Sequence, residues 1–283
     1  MCKNSSMFVH IVRSFSRSNQ GTSFFLYLDT LLFISSGGIP LRRGKVFMTT
    51  SWDDGHPLDL KLCSLLKDYG MSATMYIPIA NPENKVISSD AIRALAKDFE
   101  IGGHTHNHTR LTQVDENKMI YELTESKNVL ESIVRKEVVS FCYPWGLYNK
   151  KVTEKVKESG YKLARTAKSL RTTLSRPLEY HPTIHAFDYN LIAKSKFIVT
   201  ASDRSLAAKL LLYGNIFKRW DMIAKKSLDD VLENGGIWHL WGHSWEIDRY
   251  DNWPLLRDVL EYAKVNGRKY GADFVTNGML VGY

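Results

Sequence analysis

Cysteine is nearly missing from this chain: there are three in 283 residues, Cys2, Cys63 and Cys142. An odd, widely spaced set excludes a disulfide framework and a thiolate zinc site. It leaves Cys63, in an apolar helical run, and Cys142, in a strand-like one, as small buried hydrophobes. Long apolar runs are missing too. Residues 24–34 are apolar for only about eleven residues and carry Asp29, whereas a bilayer-spanning helix needs ~20. Basic residues before this run and Ser35-Ser-Gly-Gly38 after it fit a weak signal peptide or anchor. The favoured reading of residues 1–45 is instead a poorly ordered extension or an overlong start, because Met48 stands at the head of the first core strand. Membrane association is expected only through residues 24–34, and a cytoplasmic location is favoured over a secreted or anchored one.

A concentrated basic face is also lacking where a nucleic acid would need one. In residues 1–45, Lys3, Arg13, Arg17, Arg42, Arg43 and Lys45 stand against Asp29 alone, so +5 of the formal +8 sits there and +3 is left for the rest. No Lys/Arg block with interleaved aromatics follows, and nucleic acid is not an expected partner. Internal repeats and low-complexity tracts are absent.

What the chain does have is 44% hydrophobic residues, enough for a sizeable core. From Val46 onward, strand-like runs alternate with amphipathic helices, the pattern of βα units around a mainly parallel sheet. Strands are expected at 46–53, 73–79, 99–102, 138–143, 161–164, 237–241 and near Phe274. Helices are expected at 58–69, where Leu58, Leu60, Leu62, Leu65 and Leu66 recur before Gly70, and at 90–97 after Ser89. Thr112 with Asp115 reads as the start of the next helix, with Ile120, Leu123, Leu130, Ile133 and Val134 along one face. Further helices are expected at 150–159, 206–220, 228–232 and 253–265. About seven such units with chemistry at strand ends predict an α/β fold, a distorted (β/α) barrel or barrel-like sheet over residues 46–283.

The chemistry is carried by Asp53-Asp54, closing the first strand, and by Gly103-His-Thr-His-Asn-His108 about fifty residues later. A carboxylate with two imidazoles is the ligand set of a catalytic divalent cation with open positions, and a spare carboxylate beside it is placed to act as a general base. The set points to a metal-dependent hydrolase. Alone, Asp53-Asp54-Gly55 would be a polar turn.

Thr50-Ser-Trp-Asp-Asp-Gly55, His104-Thr-His-Asn-His108, Phe141-Cys-Tyr-Pro-Trp-Gly146 and His243-Ser-Trp-Glu246 stand in the order and rough spacing of the motifs of polysaccharide deacetylases. The chain thus resembles this NodB-homology family, the family four carbohydrate esterases, over about residues 46–283. The resemblance implies a seven-stranded distorted barrel and one divalent metal, usually zinc. It also implies removal of N- or O-acetyl groups from a polysaccharide or oligosaccharide, with an acetylated carbohydrate as partner. Close relatives instead open cyclic imides or allantoin-like rings, and a non-catalytic carbohydrate-binding protein on the same fold is a third reading.

Residue by residue, the match implies Asp53 as general base and Asp54, His104 and His108 as metal ligands. At a strand-to-loop bend, neighbouring carboxylates can reach one cavity, one toward the ion and one toward its water. His106 is expected to pack outside the ligand set and Thr105 to hydrogen-bond near the ion. The backbone N–H of Trp145 matches an oxyanion donor, and the side chains of Tyr143 and Trp145 either stack on a sugar or pack in the core. His243 resembles the proton donor to the leaving group.

Two features depart from the family pattern. Cys142 stands where many members carry the arginine that positions the base, and Arg165 is either its replacement or a surface residue. The Asp-x-x-Asp-Trp segment that orients the acid is absent, which leaves Glu246 or Asp248 to substitute. His239 lines the site or packs behind it. Trp238, Trp241 and Trp245 form either an acetyl pocket or barrel core, and His181 and His185 read as loop residues shaping the substrate groove.

Overall fold

The computed structural model describes residues 44–174, 176–188, 206–208 and 219–282. Most of the expectation for residues 1–45 therefore lies outside the described residues. Gly44–Tyr283 forms one compact unit. No helix among the described residues is long and apolar enough to cross a membrane.

At the centre is β1 (Val46–Asp53), buried along its whole length as a strand covered on both faces must be. It pairs in parallel with β2 (Ala73–Ile77) on one side and β7 (Gly236–Gly242) on the other. Outward from β2 come β3 (Glu100–Gly103), β4 (Ser140–Cys142) and β5 (Leu163–Arg165), while β6 (Ile184–His185) lies beyond β7. A short β8 (Asp273–Phe274) pairs with the head of β1. The outer edges are joined through residues 180–185. Tyr180 bridges Arg165 in β5, and Ile184 pairs with Leu240 in β7. The result is the expected α/β architecture, a curled parallel sheet of barrel form with helices outside it.

Strand alternation sorts the side chains into two environments. In β1, Met48 and Trp52 pack toward the helices, whereas Phe47, Thr49, Ser51 and Asp53 run up the interior from apolar floor to charged rim. Thr49 Oγ1 donates to Asn277 Oδ1 at 3.0 Å, and Ser51 Oγ meets His239 Nε2 at 2.8 Å. Trp238 faces outward, its Nε1 donating to Ala224 O at 3.0 Å. It is therefore part of the core and not of an acetyl pocket.

The register places Asp53 beside Tyr76, Gly103 beside Phe141 and Cys142 beside Arg165, so one rim collects the C-terminal ends of all these strands. Gly102 makes the sheet this tight: an added Cβ would lie 2.5 Å from the buried Tyr76 ring and 3.0 Å from Ser140 O. Tyr76 cannot swing away while its hydroxyl accepts from Asn277 Nδ2 at 2.9 Å. Gly102→Ala is expected to cost about 2 kcal/mol of stability by overpacking, read as a lower denaturation midpoint in urea.

The helices are α1 (Asp59–Tyr69), α2 (Ser89–Leu95), α3 (Glu116–Val134), α4 (Lys150–Glu158), α5 (Trp220–Asn234), α6 (Ser244–Arg249) and α7 (Trp253–Lys269). Gly70 ends α1 in the left-handed region at φ 66°, returning its N–H to Leu66 O. Several expectations are corrected. Leu60 is exposed, because it lies about 200° around the helix from the buried Leu62. Ser88, not Ser89, caps α2 by accepting from Ala91 N, and Asp115 alone caps α3 by accepting from Lys118 N. Ile120 is exposed, while Met119, Leu123, Leu130 and Ile133 form the buried stripe. The helix expected at 228–232 is the second half of α5, which begins at Trp220. Of the expected 206–220 helix, residues 206–208 are helical, Arg219 is extended, and 209–218 lie outside the described residues.

Candidate metal centre and active site

Asp53 and Asp54 close β1, and the backbone turns into the left-handed region at Asp54, φ 80°. That turn brings both carboxylates to the rim, as consecutive strand residues otherwise point apart. His104 follows β3 directly. Thr105 (φ 64°) and His108 (φ 53°) bend the next loop back, and Trp145 (φ 61°) does the same after β4. Four non-glycine residues at one rim thus sit in a backbone region that side chains disfavour, a clustering typical of functional sites.

The structure brings Asp54, His104 and His108 together. Asp54 Oδ1 lies 3.7 Å from His104 Nε2 and 3.3 Å from His108 Nε2. His104 Nδ1 is 2.8 Å from Cys142 O. A carbonyl only accepts, so Nδ1 carries the hydrogen and Nε2 presents its lone pair to the cluster. Burial lowers the pKa of His104 to about 4, against the raising effect of Asp53, which keeps the ring neutral and able to ligate. Asp54 Oδ1 is buried with no hydrogen-bond partner among the described residues, while Trp245 Nε1 donates to Oδ2 at 2.9 Å. The Nε2 lone pair of His104 and the neighbouring Nε2 of His108, beside an unpartnered buried carboxylate oxygen, fit a divalent cation.

Around this cluster the structure assembles a second layer. Arg165 Nη2 pairs with Asp53 Oδ2 and lies 2.8 Å from Cys142 Sγ, so the guanidinium reaches the carboxylate from β5. Burial would raise the pKa of Asp53, but Arg165 overrides it, with His104 and His243 adding to the effect, and holds it at about 2. Asp53 Oδ1 has no partner among the described residues. His243 Nε2 lies 4.0 Å from both Asp53 Oδ2 and Asp54 Oδ2, and its Nδ1 is 2.6 Å from Glu246 Oε2. Burial lowers its pKa, but the Glu246 contact and the two aspartates outweigh that and lift it to about 9.

Other expected residues stand differently. Tyr143 is in the core, with its hydroxyl on Leu178 O at 2.8 Å, and offers no ring face to a sugar. Trp145 is half exposed between the Arg110 guanidinium (4.1 Å) and the His108 ring (5.8 Å). His239 lies deep in the barrel on Ser51 and stacks on Tyr180 at 5.1 Å. Trp241 stacks on His185 at 3.8 Å and lies under Arg165 at 4.3 Å. His106 edges onto Tyr121, and Thr105 Oγ1 accepts from Thr109 N. His181 bonds Thr166 Oγ1 at 2.7 Å, away from the cluster. Asp248 accepts from Trp253 Nε1 and does not touch His243.

His185, expected as a loop residue of the substrate groove, instead closes β6, is buried and reaches Glu246. Two further contributors were not named from the sequence. Asp59 accepts from Ser244 Oγ at 2.5 Å behind the site. Glu122, on α3, accepts from Asn107 N (2.8 Å) and Asn107 Nδ2 (2.9 Å), tying down the histidine loop. An acidic residue at an otherwise buried position of α3's period was the only hint of this. Glu122→Ala leaves the Asn107 N–H unmet. It is expected to cost about 1–3 kcal/mol and to weaken zinc binding about tenfold, measured by urea unfolding and competitive chelation.

Part of the chain is similar to known proteins. Residues 42–164 match the model of the family described as polysaccharide deacetylase. The chain is therefore related to the polysaccharide deacetylase, or NodB-homology, family. The match takes in Asp53, Asp54, His104, His108 and Trp145 and ends before Arg165, His185, His243 and Glu246. YxkH of Bacillus subtilis (strain 168), provisionally described as a polysaccharide deacetylase, is 23% identical over 120 residues, which are 42% of this chain and 40% of that protein. The chain thus matches well under half the length of this curated relative.

Among solved structures, a protein from Mycobacterium smegmatis with the same provisional description has a TM-score of 0.57 at 15% identity, covering 86% of this chain and 92% of its own. The Bc1960 peptidoglycan N-acetylglucosamine deacetylase has 0.53 at 16%, covering 82% and 86%. The Xyl-CE4 domain of a multidomain xylanase from the hindgut metagenome of Trinervitermes trinervoides has 0.52 at 14%, covering 84% and 91%. At these identities the likeness is one of fold.

Proposed function

We propose that this protein is a metal-dependent hydrolase that removes acetyl groups, N-acetyl above all, from a polysaccharide or oligosaccharide. The observation that carries the reading is the cluster of Asp54, His104 and His108 with Asp53 on one side and His243 on the other. A divalent cation held by the first three residues, with zinc suited to two imidazoles and a carboxylate, supplies Lewis acidity toward the acetyl carbonyl and toward water.

The remaining work falls to the chain's own groups. Asp53, kept ionised by Arg165, accepts the proton of the attacking water at its unpartnered Oδ1. The N–H of Trp145 donates to the carbonyl oxygen as negative charge develops there. His243, aimed by Glu246 through Nδ1, gives the proton on Nε2 to the departing amine or alkoxide as the bond to the acyl carbon breaks. The products are acetate and the free amine or alcohol.

The test is acetate release from chitin oligomers, peptidoglycan and O-acetylated glycans, each with and without chelator, beside a panel of cyclic imides. Chelator-sensitive acetate release supports the reading. Turnover of an imide with no acetate from any glycan favours a ring-opening amidohydrolase, and glycan binding by zinc-loaded protein without turnover favours a binding protein.

A further inference from the structure

We propose that His185 is a positioning residue for the proton donor, holding Glu246 in the one orientation that aims His243 at the reacting centre; this rests on the deacetylation reading above. A single oxygen, Glu246 Oε2, is shared: His243 Nδ1 lies 2.6 Å from it and His185 Nε2 lies 3.0 Å from it. A carboxylate oxygen only accepts, so both rings present N–H groups to it. His243 is left with Nε2 facing Asp53 and Asp54, both at 4.0 Å.

Glu246 alone is a poor anchor. It projects from α6, a six-residue helix starting at the rim, and a glutamate has three rotatable bonds with which to turn toward solvent. His185 has no such freedom. It ends β6 in register with Trp241, its ring lies flat on the indole at 3.8 Å and 9°, and Phe187 stacks at 5.6 Å. Its buried donor therefore fixes the carboxylate, and the carboxylate fixes His243. Burial pushes the His185 pKa down against the pull of Glu246, which suits a neutral ring that donates to the carboxylate through Nε2. The three groups lie within 4.8 Å of one another, and the two short contacts to one oxygen are those of two donors on an acceptor. No Asp-x-x-Asp-Trp segment is present to do this, so the imidazole takes over the positioning from β6.

Two variants separate positioning from packing. His185→Phe keeps an aromatic ring on Trp241 and removes the donor, whereas His185→Gln restores an N–H near the place of Nε2 and gives up the stack. In the zinc-loaded protein, kcat for acetate release is expected to fall about 10- to 100-fold in His185→Phe with KM within about twofold, and to recover most of that in His185→Gln. A second readout needs no turnover. With ¹⁵N-histidine labelling, the hydrogen-bonded Nδ1–H resonance of His243 should be lost to exchange in His185→Phe and kept in His185→Gln. An unchanged resonance in His185→Phe, or a glutamine variant no better than the phenylalanine one, overturns the proposal. Absence of acetate release from the parent protein would instead remove the deacetylation reading, and the resonance would still decide the role of His185.

Discussion

Asp54→Asn protein is expected to bind no zinc and to release acetate at a rate lowered by on the order of 10³-fold or more. The substitution suits the site sterically. Asparagine tolerates the left-handed backbone that Asp54 adopts at φ 80°, and its amide oxygen can still accept from Trp245 Nε1. What it removes is the only anionic ligand of the three, since His104 is held neutral by burial. In the metal-free protein the variant should melt no lower than the parent, because a buried charge next to Asp53 has been deleted. Added zinc separates the two proteins. At free zinc 100-fold above its Kd the parent gains about 2.7 kcal/mol by mass action, and the variant gains nothing. Thermal unfolding with and without zinc, run beside acetate assays, measures both effects. A zinc-dependent stabilisation of parental size in Asp54→Asn would rule out Asp54 as a ligand.

The parts of this centre that were legible in the sequence are those written as short motifs at strand ends. Asp53-Asp54-Gly55 and His104 to His108 could be read because carboxylate and imidazole chemistry is local and each motif closes a strand-like run. A parallel sheet of βα units followed from alternation, and the curled closure through residues 180–185 did not, since β6 is only two residues long. Burial decided what pattern could not. Tyr143 and Trp145 share one motif, yet β4 turns the first into the core and leaves the second half exposed. Glu122 and His185 act across 15 and 61 residues of chain, on Asn107 and Glu246 respectively, and no spacing rule links such pairs. Arg165 could be named from the sequence as a candidate, but only the pairing of β4 with β5 sets it beside Cys142 and against Asp53.

That pairing yields the second large effect. Arg165→Leu is expected to destabilise the protein by about 3–5 kcal/mol near neutral pH, because it strands the Asp53 carboxylate in a buried site. The pH dependence identifies the cause. In the parent, Asp53 lies at about 2, below its ordinary 3.8, so its contribution to stability is present above pH 3.8 and is lost as pH falls through about 2. In Arg165→Leu, burial acts unopposed by the guanidinium and raises the Asp53 pKa. The deficit should then shrink in acid, where the carboxyl is neutral in both folded and unfolded chains, and the acid limb of kcat/KM should move to higher pH. Urea unfolding from pH 3 to 8 measures the first effect, and a pH–rate profile the second. Adding Asp53→Asn should abolish most of the deficit, since no buried charge is left unpaired, and a loss that is the same in both backgrounds would exclude the ion pair as its source. Cys142 and Arg165 are register partners on neighbouring strands, and Cys142 Sγ is itself 3.5 Å from Asp53 Oδ2. Arg165→Leu combined with Cys142→Arg therefore returns a guanidinium to the same carboxylate from β4, where the family resemblance implies an arginine. Such a swap should recover part of both stability and activity, whereas Cys142→Arg alone crowds a second cation against Arg165 and should lower both.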